Sequence, residues 1–290
     1  MSVAVSCNLP EGVVLGVDSA ITLPGPTPPP GQPLPPNIMQ GGVLKVYEDA
    51  EKLFQLGDRP IGVATFGLGV IGNRTIGSYL REFVLSDPNQ VVSGPTTVQQ
   101  IAEELRHFFM SRYQQIIVPL VEQVHGKPFD QVPQEQRPAL GLVVGGFSYG
   151  AYLSEVWMFV LPIHATPNST QLTRGQGDFN SNWFALFEPI HRYVKGWSPA
   201  LLAELISFFE TQRGSPLTPA EKQQVDALVA KHEFAIPVAA MPLKVGTEYT
   251  RFLVELVINH HKYAIGAPVV GGHAKIGRVT YTGTKFEILD

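Results

Sequence analysis

Cysteine is nearly absent from this chain of 290 residues. Cys7 stands alone, so no internal disulfide framework can form. It lies in an apolar run, where a thiol is expected to be buried and inert. Charge is sparse too: 16% of residues are charged, the net charge is −4, and no block of like sign occurs. That argues against a broad basic face for nucleic acid or an anionic membrane. No apolar run of about 18 residues appears, and no basic segment followed by an apolar core opens the chain. A soluble, cytoplasmic protein is expected. Asn73-Arg74-Thr75 and Asn168-Ser169-Thr170 match the glycosylation pattern, which without a signal peptide is read as chance.

Metal and nucleotide signatures are missing as well. His107, His125, His164, His191, His232 and His273 show no ligand spacing. His260 and His261 are consecutive on a helical stretch, which should point them apart. The glycines from Gly67 to Gly72 are not followed by a phosphate-loop lysine. No cofactor and no metal are therefore expected.

What is present is a succession of hairpins and helices without an internal repeat. Val3–Cys7 and Val13–Val17 read as strands joined across Asn8-Leu9-Pro10-Glu11-Gly12. Leu23–Pro36 is so rich in proline and glycine that only an extended loop fits. Lys52–Leu56 and Ile61–Phe66 form a second hairpin. Helical periodicity follows at about 73–85 and over Thr97–Val124, the latter interrupted near Pro119. A third hairpin joins Leu140–Phe147 to Ala151–Val160. Helices are expected at about 179–194, at Pro199–Thr211, at Pro219–His232 and at Glu248–Tyr263. His273–Tyr281 and Lys285–Leu289 close the chain as a hairpin. Asp178, beside Gly177, has two readings, support for the site and a cap for the helix expected after it, of which the cap is favoured. The class is α+β. Two antiparallel sheets between two helical layers would cover every apolar face, with a single-sheet α+β domain as the alternative. One domain spans 1–290, with insertions at about 21–42 (the proline-rich loop) and about 198–243 (helical).

The candidate chemistry lies at the open ends of the first two hairpins. With a turn centred on Pro10, residue i pairs with residue 20 − i, which places Ser2 opposite Asp18. Removal of Met1 would make Ser2 the first residue, with a free α-amine. An N-terminal hydroxyl residue can use its own amine as base. In the second hairpin Leu56 opposite Ile61 sets Lys52 against Thr65.

These landmarks, taken in order, resemble a proteasome β-type subunit, a branch of the N-terminal nucleophile hydrolases, in a divergent bacterial-type form. Ser2 opens the first strand directly. Val13-Val14-Leu15-Gly16-Val17-Asp18-Ser19 is similar to the strand ending in the family's aspartate. Glu51-Lys52-Leu53-Phe54-Gln55-Leu56 is similar to the strand carrying its lysine. Ile61-Gly62-Val63-Ala64-Thr65-Phe66-Gly67-Leu68 resembles the strand whose last glycine supplies an oxyanion-hole amide. Leu142–Phe147 and Val270-Gly271-Gly272-His273 resemble later strands.

The resemblance implies the four-layer αββα fold and a hydrolase whose site is Ser2, Asp18, Lys52 and Gly67. It implies peptide or unfolded polypeptide as substrate and self-association into rings, and it leaves an unfoldase partner open. The chain departs from the family in using serine for threonine and in the bulk of Phe66. Gln176 stands in Gly175-Gln176-Gly177 where a serine is usual, and Ala267 and Val270 replace an aspartate and a serine. Those losses favour a second reading of the same fold, a structural or binding subunit with weakened chemistry; a third, a small-molecule amidohydrolase, keeps the same site residues and needs no ring.

Overall fold

The computed structural model describes residues 2–24, 43–265, 269–283 and 285–289. The proline-rich segment from 25 to 42, Met1 and Ala267 lie outside the described residues.

Two consecutive apolar strands, β1 (Val3–Leu9) and β2 (Gly12–Asp18), form the first hairpin and are buried on both faces. Their register is Ala4 to Val17 and Leu9 to Gly12, so residue i pairs with 21 − i. The loop holds two residues, Pro10 and Glu11, the length that best fits strand twist. The expected register was thus off by one, and Asp18 pairs with Val3 rather than with Ser2.

Strand β3 (Ile21–Pro24) pairs with β4 (Val43–Tyr47) at the two ends of the proline-rich segment. The second hairpin, β5 (Leu53–Gln55) and β6 (Ile61–Gly67), has the expected register, Leu53 to Ala64. A small ribbon of β7 (Val70–Ile71) and β8 (Arg74–Thr75) leads into α1 (Ile76–Ser86), whose N-cap is Thr75.

Helix α2 (Val98–Arg112) runs into α3 (Val118–His125) through a π-helical turn at Tyr113–Ile117, where Val118 N–H donates to the Tyr113 carbonyl. Pro119 explains the interruption: it has no N–H to donate, and its ring collides with the carbonyl four residues back.

The third hairpin, β9 (Leu140–Gly146) and β10 (Glu155–Leu161), pairs Gly146 with Glu155. Its second strand starts four residues later than expected, because the intervening chain ties to α2. Ser148 Oγ accepts from Val98 N–H at 2.9 Å and Tyr149 N–H donates to the Thr96 carbonyl at 3.1 Å.

The helix expected at about 179–194 is a strand followed by a short helix. After β11 (Gln171–Arg174) come β12 (Ser181–Ala185), paired with β1, and α4 (Glu188–Lys195). The free edge of β1 recruits Ser181–Ala185 despite its helical spacing, a tertiary override of local pattern. Asp178 therefore caps no helix. Its carboxylate pairs with Arg174 at 3.1 Å and its carbonyl accepts from Asn8 Nδ2 at 3.0 Å.

The chain then forms α5 (Pro199–Arg213) and α6 (Pro219–Val229), neither of which buries a residue. Helix α7 (Leu243–Tyr263) and strands β13 (Ala274–Thr280) and β14 (Glu287–Leu289) complete the chain.

One sheet has the order β12-β1-β2-β13-β14, the other β11-β10-β9-β6-β5. Three apolar cores fill the layers. Helices α1, α2 and α3 cover the second sheet, α4 and α7 cover the first, and a core with Leu15, Val17, Val143 and Phe286 joins the two sheets. The four-layer α+β arrangement is the one expected, and the single-sheet alternative is ruled out. Phe66 and Phe184 stack across the inter-sheet space, with ring centroids 5.9 Å apart. Phe66 lies over Gly141, where an added Cβ would come within 2.0 Å of its ring.

Candidate active site

The start of β1, the end of β2 and the start of β5 converge between the sheets. Lys52 Nζ donates to Asp18 Oδ1 at 2.9 Å and to Ser2 Oγ at 3.0 Å. All three side chains are withdrawn from solvent, at 2% exposure for Ser2, 0% for Asp18 and 4% for Lys52. A buried ion pair of this kind is tolerated only when its remaining polar atoms are also satisfied. Here the backbone does so: Asp18 Oδ1 also accepts from Val3 N–H at 3.0 Å. Its Oδ2 accepts from Ala20 N–H at 3.3 Å and Gly271 N–H at 3.4 Å.

Burial pushes Lys52 below the ordinary lysine value, and the attraction and hydrogen bond of Asp18 oppose that shift. The ammonium thus lies between a fixed carboxylate and a hydroxyl, positioned to stabilise negative charge forming on Ser2 Oγ.

Gly67 closes β6 with φ of +85°, and a Cβ there would lie 2.1 Å from the Ala139 carbonyl oxygen. Only glycine fits such a position without strain. Strand alternation decides where its N–H points. Leu68 N–H donates to Ala139 across the β9 edge, while Thr65 N–H donates to Lys52 O across the β5 edge. Gly67 N–H shares the Thr65 side, beyond the start of β5, in a cleft lined by Ser2, Lys52, Thr65 and Gly67. A carbonyl attacked by Ser2 would find that donor on the face opposite β9.

Ser2, Asp18 and Lys52 are therefore brought into direct contact, and Gly67 lines the same cleft. The other expected positions fall elsewhere. Gly175-Gln176-Gly177 lies at the far end of β1, where the Gly175 carbonyl accepts from Asn8 Nδ2 at 3.4 Å. The segment next to Ser2 is instead Ala185–Leu186, whose Leu186 N–H donates to the Ser2 carbonyl at 3.1 Å. Ala185 holds φ of +64°, a left-handed turn from β12 into α4. Val270 is buried in the core beneath α7.

Several contributors had no sequence signal. The Val3 amide would have followed from a two-residue turn. The Gly271 amide depends on β13 pairing with β2, which places Ala274 opposite Asp18. His261 lies within electrostatic range of Asp18. Burial and His260 pull it below the ordinary histidine value, and Asp18 opposes them. The rings of His260 and His261 meet edge to face with centroids 5.4 Å apart, so they do not diverge as expected.

With this geometry the chain is similar to two solved structures. One is a Gly-1 mutant of Anbu from Hyphomicrobium sp. strain MC1, at a TM-score of 0.51 and 10% identity, covering 100% of this chain and 87% of that one. The other is Anbu, described as an ancestral beta-subunit, from Yersinia bercovieri, at 0.51 and 13%, covering 99% and 87%. The fold is the proteasome-like N-terminal nucleophile hydrolase fold. No protein-family profile and no curated protein matches the sequence. Among the described residues no helix is long and apolar enough to cross a membrane.

Proposed function

We propose that the protein is an N-terminal nucleophile peptidase in which Ser2, freed by removal of Met1, attacks peptide bonds within a homo-oligomeric assembly. The observation that carries this reading is the contact of Lys52 Nζ with both Ser2 Oγ and Asp18 Oδ1, at 3.0 and 2.9 Å. Ser2 Oγ adds to the carbonyl carbon while its proton passes to the α-amine, whose ordinary pKa is about 8. Lys52 stabilises the developing alkoxide. Gly67 N–H stabilises the oxyanion, a single donor of this kind contributing about 3 kcal/mol. The C–N bond breaks as the α-ammonium returns the proton to the leaving nitrogen, and water then cleaves the acyl-serine.

Self-association draws support from α5. Leu201, Leu205, Phe208 and Phe209 form a stripe at helical spacing and are 55%, 44%, 57% and 59% exposed. Exposed apolar side chains gathered on one helix face are of the kind that mark interaction surfaces.

A weakened site on the same fold is the second reading. It is favoured by Val270, which offers no polar atom where the resemblance leads one to expect a serine.

The test is mass spectrometry of the mature N-terminus together with turnover of fluorogenic peptides. Loss of Met1 and at least 10³-fold loss of rate in both Ser2→Ala and Lys52→Ala are expected. Retained Met1, or turnover surviving Ser2→Ala, overturns the reading. Light scattering checks assembly: Phe208→Glu with Leu205→Glu should lower the mass in solution.

A further inference from the structure

A groove of about 990 Å³ opens where the β12–α4 corner meets the end of α7. It is within the range of about 300–1,000 Å³ that encloses a drug-sized ligand. Its walls include Leu186 and Phe187 on one side and Leu256, Asn259, His260 and Tyr263 on the other. Nothing in the triad described above uses it.

Its relation to Ser2 follows from strand register. Val3 pairs with Ala185 and Ala4 with Phe184, and Leu186 N–H continues the ladder to the Ser2 carbonyl. The Ser2 nitrogen belongs to the same residue as that carbonyl, joined to it through Cα, so it lies beside the corner whose Leu186 and Phe187 line the groove. The oxyanion donor is elsewhere: Gly67 belongs to the opposite sheet.

We infer that this groove holds the leaving-group side of a peptide substrate and selects a large apolar residue immediately after the cleaved bond. This rests on the reading under Proposed function, because the chemistry fixes the direction. The proton taken from Ser2 Oγ by the α-amine must be delivered to the leaving nitrogen. The leaving segment must therefore run past the Ser2 nitrogen, which is toward Leu186 and Phe187. The acyl segment then runs the other way, along the cleft lined by Thr65, Gly69 and Ile21. In the transfer the Ser2 Oγ–C bond forms, the C–N bond breaks, and the hydroxyl proton ends on the departing amine. The substrate class is thus a polypeptide extended on both sides of the scissile bond, with Leu, Phe or Tyr on the leaving side against Phe187, Leu256 and Tyr263.

Tyr263 is the residue to change, because it is 79% exposed and no fold contact depends on its burial. Two substrates with the same acyl side are compared. One is a peptidyl coumarin amide with no residues after the cleaved bond. The other is an internally quenched peptide with Phe-Leu after it. In the wild type the extended peptide should have the higher kcat/KM. Tyr263→Ala should lower the ratio of extended to truncated kcat/KM about tenfold, through KM, and Tyr263→Phe should keep it. Hydrolysis of both substrates with an unchanged ratio overturns the groove assignment and leaves the peptidase reading standing.

If neither substrate is cleaved, the peptidase reading fails. The groove is then judged by fluorescence anisotropy of a labelled Phe-Leu-Ala-Lys peptide on the Ser2→Ala protein. Binding weakened about tenfold by Tyr263→Ala supports a peptide groove; absence of binding overturns it.

Discussion

Val3 and Asp18 face each other across the first hairpin, and the Val3 amide donates to Asp18 Oδ1 at 3.0 Å. The same oxygen accepts from Lys52 at 2.9 Å. The carboxylate is therefore fixed by the strand that follows Ser2, and Lys52 is positioned by that fixed carboxylate. Asp18→Asn keeps an oxygen for Val3 but removes the charge that holds the ammonium. Stability should fall by about 3–5 kcal/mol in denaturant titration, as when one partner of a buried pair is removed. Peptide turnover should fall at least 10²-fold.

The pH–rate profile should be bell-shaped. The rising limb follows loss of the proton from the Ser2 α-amine, near pH 8 for an ordinary amine. The falling limb follows loss of the proton from Lys52, which burial moves below its ordinary 10.5. In Lys52→Arg the falling limb should vanish from the accessible range, with a lower plateau rate because guanidinium geometry differs. An unshifted falling limb in Lys52→Arg would assign that limb to another group. The linkage has a definite sign. Between the lowered folded value and 10.5 the unfolded chain binds more protons at Lys52, so this group's contribution to stability rises with pH across that window.

Gly67→Ala should cost both fold and function. The new Cβ would lie 2.1 Å from the Ala139 carbonyl oxygen, at a backbone φ of +85°. A loss of about 1–3 kcal/mol is expected from the strained conformation. The shift of the amide should lower kcat more than it raises KM, which steady-state kinetics would separate.

Phe286 is 1% exposed and joins the two sheets. Its ring fills the space over Gly62 and Gly277, where an added Cβ would meet it at 2.3 Å in each case. Phe286→Ala should destabilise by about 3–5 kcal/mol, measured by the midpoint of chemical unfolding. Gly62→Ala should also destabilise, by overpacking the same contact.

Burial pushes the Cys7 thiol up to about 12, against a weaker opposing hydrogen bond with Thr250. Native protein at pH 8 should therefore resist thiol-alkylating reagents, and labelling should appear only at denaturant concentrations that unfold the chain. Rapid native labelling would show that β1 opens locally. Above pH 9 the unfolded thiol ionises while the folded one stays protonated, so the Cys7 contribution to stability falls from pH 9 toward pH 12.

The sequence by itself determined the elements whose signals are local. Turn formers around Pro10 and around Gly57–Pro60 specified the first two hairpins, and the second register was legible residue by residue because Leu56 and Ile61 bracket its turn. Those two hairpins were enough to bring Ser2, Asp18 and Lys52 to one end. Local signals also placed α5 and α6, whose N-caps Ser198 and Thr218 each precede a proline at the first helical position.

Tertiary structure alone decided what crosses between distant segments. Ser181–Ala185 has helical spacing, yet it is a strand because β1 offers an unpaired edge. That pairing moved the segment beside Ser2 from Gly175–Gly177 to Ala185–Leu186 and created the groove. The amides of Val3 and Gly271 that hold Asp18 are backbone groups, which carry no side-chain signature. Their roles depend on register, and a one-residue change in a two-residue turn reassigns every partner along the strand.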